Sequence, residues 1–473
     1  MLGYKIARIS VAILSILFLY GCDGTKQDKT ARISFIFQES ILDTVKIYQL
    51  DPIKHSKFNN LEVILDSHGK GSILMPIPYH VFATIEIEGN SISVFLQDEY
   101  DLTIIGQSQE IFKSINFEGI GSVPNNYRTG VQSIYQKFDG VEGNYFWQLD
   151  SNAFASRIDS MDSEVFRYNN EYFKRYTVPE NLQNLLVTES MLKPIYLTMN
   201  YHKIRCQPQE HTSTTIPFDT SLLNAGSPQY IATLLFYLES EIINPLWERS
   251  GASNNDSIRY QFPELLYNTI QMSGMPGSIR EFLIANKLYY YFSTGNSSII
   301  IERVYSQWRS FFPNSEYLSD LENKYSQILT LAPGTTAPEI KGITSSGDNF
   351  TLSSLKGHVI YIDVWATWCR PCVEQFPASK RLQNEFGEND KVKFLFISID
   401  KDLKKWRQAL VKMKLGGIHI NVNGIRIRED YLMPGIPSYI LIDQSGRIVT
   451  AKAPNPSSGQ VKNEILKLIK QGN

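Results

Sequence analysis

The spacing of apolar positions changes character twice along the 473 residues. Between residues 31 and 122, short runs alternate apolar with polar positions, among them Val45-Lys-Ile-Tyr48, Leu61-Glu-Val-Ile-Leu65, Phe82-Ala-Thr-Ile-Glu-Ile87 and Ile92-Ser-Val-Phe95. Clusters of Gly, Asn, Asp and Pro separate them, and turn signals at this spacing predict a β-rich, sandwich-like N-terminal module. From about residue 125 the period lengthens. Phe154, Ile158, Met161, Val165, Tyr168 and Tyr172 recur at steps of four and three residues, one stripe of an amphipathic helix. Similar patterns predict helices over roughly 180–203, 228–244, 277–293, 297–310 and 314–330, so 123–331 reads as a mainly helical middle region. Tyr289-Tyr-Tyr-Phe292 reads as a helix end packed into the core, with a recognition surface as the alternative. Pro333-Gly334 closes the region, and residues 332–473 follow as a further domain.

In that last part an apolar run, His358-Val-Ile-Tyr-Ile-Asp363-Val364, leads directly into Trp365-Ala-Thr-Trp368-Cys369-Arg370-Pro371-Cys372-Val-Glu374-Gln375-Phe376-Pro377. A buried strand therefore runs into a turn carrying two cysteines with two residues between them. Pro371 suits the start of a helix, where its fixed φ is pre-set and its missing N–H is not needed. The Cys369 sulfur then sits at a helix N-terminus, where unpaired N–H groups and the macrodipole favour a thiolate. With the Cys372 thiol one turn away, the segment carries the groups needed to exchange disulfides. Arg370 lies between the cysteines and is either a cation favouring the thiolate or a solvated surface charge.

This segment resembles the thioredoxin superfamily, and within it the TlpA/ResA-like branch of membrane-tethered bacterial thiol–disulfide oxidoreductases. The likeness spans roughly residues 332–473. Pro333-Gly-Thr-Thr-Ala337-Pro338-Glu-Ile340 is similar to that branch's opening strand, and Gly347-Asp-Asn-Phe-Thr-Leu352-Ser-Ser-Leu355-Lys-Gly357 to its hairpin and helical turn. Gly435-Ile436-Pro437-Ser-Tyr-Ile-Leu-Ile442-Asp443 resembles the loop that holds the family's cis-proline, and Asp443-Gln-Ser-Gly446 the turn into its last strand. The resemblance implies an α/β thioredoxin-like fold with Cys369 as attacking sulfur and Cys372 as the resolving one. It also implies a cis Pro437 packed against Cys369, with Ile436 offering its backbone to an extended substrate and Trp368 beside the site. Asp363 stands six residues before Cys369, the spacing of the buried aspartate of thioredoxin, and is expected to take the Cys372 proton. The branch often places a glutamate three residues after its second cysteine. Here that residue is Gln375, and Glu374 beside it is turned away by one helical step of ~100°.

Lys5 and Arg8, the apolar run Ile9 to Tyr20 and the ending Leu19-Tyr20-Gly21-Cys22 read as a targeting segment over residues 1–22. The run falls short of the ~20 residues of a membrane span but suits a signal-peptide core. Leu-x-Gly-Cys resembles a bacterial lipobox, which makes Cys22 the expected site of lipidation; an ordinary secretory signal with a chance cysteine is the competing account. The polar tract Asp23 to Thr30 then reads as a short tether. Of four cysteines, Cys22 is set aside for lipid, Cys369 and Cys372 form the redox pair, and Cys206 reads as a small buried apolar residue. Three such cysteines do not make a disulfide framework.

A net charge of −2 gives no strong field and argues against nucleic acid as a partner. No histidine lies near the pair, so neither a zinc site nor any other metal or cofactor is expected there. Position 373 is Val where haem attachment needs His, and position 366 is Ala where a peroxiredoxin has threonine. The expectation is an envelope oxidoreductase, lipid-anchored on the extracytoplasmic side. It would act as a reductant on protein disulfides and be recharged by a membrane electron donor. The alternative is a binding lipoprotein whose thioredoxin-like domain only docks, against which the intact cysteine pair counts.

Overall fold

The computed structural model describes residues 29–38, 44–54, 56–77, 79–107, 114–138, 145–205, 215–295, 298–387, 389–422 and 424–471. The targeting segment with Cys22, most of the tether, and Cys206 lie outside the described residues. No described helix is long and apolar enough to cross a membrane.

Eight strands build the N-terminal module: β1 (Thr30–Gln38), β2 (Thr44–Leu50), β3 (Lys57–Ile64), β4 (Lys70–Pro76), β5 (Val81–Ile87), β6 (Asn90–Leu96), β7 (Asp101–Gln107) and β8 (Asn116–Ile120). They form two four-stranded sheets in the orders β4-β1-β7-β8 and β3-β2-β5-β6. The four runs singled out in the sequence make up the second sheet. Alternation puts Ile33, Phe35 and Phe37 of β1 in one buried cluster with Val45, Ile47, Ile85 and Val94 from the opposite sheet, the closed core of a sandwich. Glu88 and Gly89, both at positive φ, make the two-residue turn that joins β5 to β6.

The middle region is helical: α1 (Ser122–Phe138), α2 (Ser151–Arg175), α3 (Glu180–Ser190), α4 (Leu192–Arg205), α5 (Pro228–Tyr237), α6 (Asp256–Gln271), α7 (Gly277–Ser293), α8 (Ile299–Phe311) and α9 (Leu318–Thr330). Helix α2 buries Phe154, Ile158, Met161 and Val165 as its stripe predicts. The single helix expected over 180–203 is two. Pro194 has no N–H to give to the Ser190 carbonyl, which instead accepts the hydroxyl of Tyr135. Phe292 is fully buried against Tyr305 and Tyr325, so the aromatic run ends inside the core. Two asparagines at the start of α1 reach back to the sandwich. Asn125 accepts from the Phe95 N–H (2.8 Å) and donates to the Phe95 carbonyl (2.9 Å). Asn126 does the same to Phe117 (3.0 and 2.8 Å). Since β6 and β8 are edge strands of different sheets, one helix end ties both edges.

The C-terminal part alternates strands and helices: β9 (Lys341–Thr344), β10 (Asn349–Thr351), β11 (Val359–Trp365), α10 (Arg370–Phe386), β12 (Val392–Ser398), α11 (Leu403–Met413), β13 (Ile418–Asn421), α12 (Gly424–Asp430), β14 (Ser438–Ile442), β15 (Ile448–Thr450) and α13 (Gln460–Gln471). Its seven-stranded mixed sheet has the order β10-β9-β13-β12-β11-β14-β15. The opening strand expected over 333–340 is instead irregular chain with one bridge, Thr336 to Arg447. Its remaining backbone bonds to Gly446 and Ile448 are too scattered for a ladder. The three regions are not beads on a string. Phe95, Phe292, Tyr305, Leu331, Tyr431 and Leu432 belong to one buried cluster, and Lys54 of the sandwich pairs with Asp320 of α9 at 2.9 Å.

Candidate redox site

Strand β11 is buried along its whole length, flanked by β12 in parallel and β14 antiparallel. Its carboxyl end delivers the chain to the turn Ala366–Trp368 and then to α10. Cys369 is the N-cap of α10, with extended backbone, and its sulfur accepts from the Cys372 N–H at 3.3 Å. Pro371 falls in the first turn of the helix, where its missing donor costs nothing. The two sulfurs are joined in a disulfide, S–S 1.97 Å with the Cα atoms 5.3 Å apart. Both cysteines are buried, Cys369 at 5 % exposure and Cys372 at 1 %, so the N-cap residue is the slightly more accessible of the two.

Trp368 stands 63 % exposed beside the pair, whereas Trp365 is fully buried and meets Phe376 edge to face at 5.0 Å. Arg370 and Glu374 point to solvent and bond each other at 2.9 Å, with side chains 90 % and 60 % exposed. The Arg370 guanidinium is thus taken up by a carboxylate at the surface, which offsets its positive charge. Gln375 is half-buried and its amide oxygen is enclosed, without a partner among the described residues. The Ile436–Pro437 peptide is cis, just before β14.

Asp363 lies in the middle of β11, 1 % exposed, and neither carboxylate oxygen has a partner among the described residues. It shares a sheet face with Tyr361 and Trp365, the face on which Trp365, Cys372 and Phe376 pack together. Desolvation pushes its carboxyl up to about 8. Tyr361 and Tyr439, stacked at 5.8 Å, have hydroxyls raised by burial and then by the nearby Asp363 charge. Such a group can hold a proton at neutral pH and exchange it when a neighbouring thiol ionises.

One part of the site went unnoticed in the sequence. Asp400 is buried two residues past the end of β12. Its carboxylate accepts from the Thr367 N–H (2.9 Å), the Thr367 hydroxyl (2.7 Å) and the Ser398 hydroxyl (2.8 Å). Asn421 donates to the Asp400 carbonyl at 2.9 Å. Because β11 and β12 run parallel with Trp365 beside Ser398, their carboxyl ends emerge together and Asp400 fastens the turn that carries Cys369. The signal was there in principle: an aspartate closing the apolar run Phe394-Leu-Phe-Ile-Ser-Ile399, at the strand ends where open α/β sheets place their sites.

A family model described as Redoxin matches residues 332–465. A thioredoxin-like protein of Bacillus subtilis, YneN, is 31 % identical over 116 residues, which are 24 % of this chain and 68 % of that protein. The chain belongs to the redoxin family of thioredoxin-like proteins. The thiol-disulfide oxidoreductase ResA of Bacillus subtilis is 23 % identical over 146 residues, 30 % of this chain and 79 % of ResA. A crystallised thioredoxin domain of a Bacteroides vulgatus thiol-disulfide oxidoreductase is 26 % identical, covering 29 % of this chain and 97 % of its own at a TM-score of 0.27. With the cysteine pair in place, this redoxin is a thiol–disulfide oxidoreductase of the ResA/TlpA branch.

The buried carboxyl has a thermodynamic signature. Asp363 ionises near pH 8 in the folded chain and near ~3.9 when unfolded. Between those values the native state keeps a proton that the unfolded state has released. Stability therefore falls as pH rises through this window, by at most about 1.4 kcal/mol per pH unit, and levels off above it. Denaturant midpoints of the oxidised protein should accordingly drop more steeply between about pH 5 and about pH 8 for wild type than for Asp363→Asn. Parallel curves for the two proteins would mean that the carboxylate is already ionised in the folded chain.

Proposed function

We propose that this redoxin is a lipid-anchored reductant of protein disulfides on the extracytoplasmic side of a bacterial envelope. The observation that carries the chemistry is the placement of Cys369 at the start of α10, bonded to Cys372 and the more exposed of the two. In the reduced enzyme the Cys369 thiolate attacks one sulfur of a substrate disulfide. A new S–S bond joins enzyme to substrate, and the other substrate sulfur leaves as a thiolate. Cys372 then gives its proton to Asp363 in the ionised form, which that carboxyl populates as pH approaches about 8, and attacks the Cys369 sulfur, forming the internal disulfide and releasing the second substrate thiolate. Two electrons pass to the substrate, so a dithiol donor in the membrane must restore the Cys369/Cys372 pair. Ile436 and the cis Pro437 would present backbone to the substrate segment, and Trp368 would cover one side of it. The anchor rests on the sequence alone: the basic start, the apolar run and the Leu-x-Gly-Cys22 ending support it. In an oxidising compartment disulfides form and persist, which favours an exported dithiol as a source of electrons.

Cys372→Ser should accumulate mixed disulfides with its substrates, because Cys369 can attack and nothing resolves the product; Cys369→Ser should trap few. Non-reducing gels of envelope extracts make the comparison, and equal trapping by both variants would reverse the two roles. With both cysteines present, Asp363→Asn should slow the second step about ten-fold or more, since a positioned base commonly contributes ~10²-fold. The first attack should be nearly unchanged. Stopped-flow reduction of a disulfide peptide, followed by Trp368 fluorescence, separates the steps; an Asp363→Asn enzyme as fast as wild type would remove this carboxyl from the mechanism. Cys22→Ala should move the protein out of the membrane fraction, and a variant that stays there with normal processing would contradict the anchor.

A further inference from the structure

A cavity of about 550 Å³ opens far along the chain from the cysteines, in the angle between the β6 edge, the β8 edge and helices α1 and α3. This size suits a ligand. Ile92 and Ser93 wall it on one side, Ile115 and Phe117 on another, with Gln132 and Tyr135 of α1 between them. The charged pair that borders it is satisfied internally. Arg128 bonds Glu189 at 2.7 Å and the Ser93 carbonyl at 2.5 Å, and Glu189 also accepts from Ser227 at 3.1 Å. Apart from Lys193, what remains toward the cavity is uncharged: amides, hydroxyls and aromatic or aliphatic surface.

The β6 edge explains what such a cavity can take. The two-residue turn at Glu88-Gly89 sets the pairing of β5 with β6, Ile87 opposite Asn90 and Ile85 opposite Ile92. In that register Ser91, Ser93 and Phe95 direct their backbone N–H and C=O groups away from β5. Both groups of Phe95 are bound by the Asn125 side chain, and the Ser93 carbonyl by Arg128. On the opposing edge Asn126 binds both groups of Phe117. The side chains of α1 thus occupy the two edges as a neighbouring strand would, and stop. Beyond them the Ser93 N–H and both groups of Ser91 face outward with no partner among the described residues.

We propose that this cavity binds an extended, uncharged polypeptide segment, which continues the pairing along β6 where Asn125 and Arg128 leave off. Backbone hydrogen bonds to Ser91 and Ser93 hold it, and side chains alternate between the apolar wall and the amide-lined wall. The choice of a polypeptide rests on the chain being an oxidoreductase that acts on proteins; the geometry of the site does not depend on it. The segment recognised here is a part of a partner protein distinct from its disulfide.

Selection of a cysteine-free random peptide library on the full-length protein tests this, because binding cannot then proceed through Cys369. End-blocked peptides from the selection should slow hydrogen exchange at the Ser91 and Ser93 amides. Ser91→Pro, which deletes an outward N–H on an exposed edge position, should weaken them about tenfold, the worth of one such bond. Gln132→Trp, which fills the cavity from an exposed position of α1, should weaken them at least as much without touching the strand. Reduction of a disulfide peptide by Cys369 and Cys372, measured on the same samples, reads the redox activity separately and should be unchanged in both variants. No selected peptide, peptides that leave the two amides unprotected, or protection by a neutral oligosaccharide instead would each overturn the proposal.

Discussion

Everything in the redox site depends on the complete burial of one strand. Strand β11 is enclosed on both faces and both edges, so its ends have little freedom and its carboxyl end is a fixed point from which the next residues start. The turn that follows is fastened to a second buried strand through Asp400, and helix α10 begins at Cys369 itself. A sulfur placed in this way needs no rearrangement to lie at the positive end of a helix. The same enclosure makes Asp363 unusual. A carboxyl with no partner in such a strand is costly as an anion, so it stays protonated through most of the range where its unfolded counterpart would be charged. The free energy is set by burial alone, since no cation or hydrogen bond among the described residues offsets it.

The departure from a glutamate after the second cysteine fits this arrangement. Gln375 turns its amide inward, while Glu374 is held at the surface by Arg370. In the proposed mechanism, proton handling falls to the strand rather than to the helix. An acid in the strand is shielded from solvent by Tyr361, Trp365 and Tyr439, all buried, whereas Glu374 lies at the surface, paired with Arg370.

The regions ahead of the redoxin domain are joined to it by more than a linker. A shared apolar core runs from Phe95 through Phe292 to Leu432, and Leu432 lies close to the loop that carries Pro437. Helix α1 plays a comparable part at the other end of the molecule. Its Asn125 and Asn126 satisfy backbone groups on two sheet edges that would otherwise invite another chain. They do so only over part of the edge, which leaves the cavity beside Ser91 and Ser93.

Much of this was legible from residue spacing because it is local. Two cysteines separated by Arg370 and Pro371, an apolar run before them, alternation over 31–122 and the stripe of α2 are all patterns within one or two turns or strands. The steric and dipolar effects that give them meaning act over the same range. The sequence by itself therefore determined the redox pair, its helix start, the candidate acid at Asp363 and the order of β-rich, helical and α/β regions. Only the tertiary structure decided which groups meet across long separations. Thr367 and Asp400 are 33 residues apart, and Asn125 and Phe95 are 30. Neither pair follows any periodicity. Their contact exists because strand pairing and helix packing close those intervals in one particular way, and the same closure leaves 333–340 without a ladder, whereas the break in the predicted 180–203 helix follows from Pro194, a local feature.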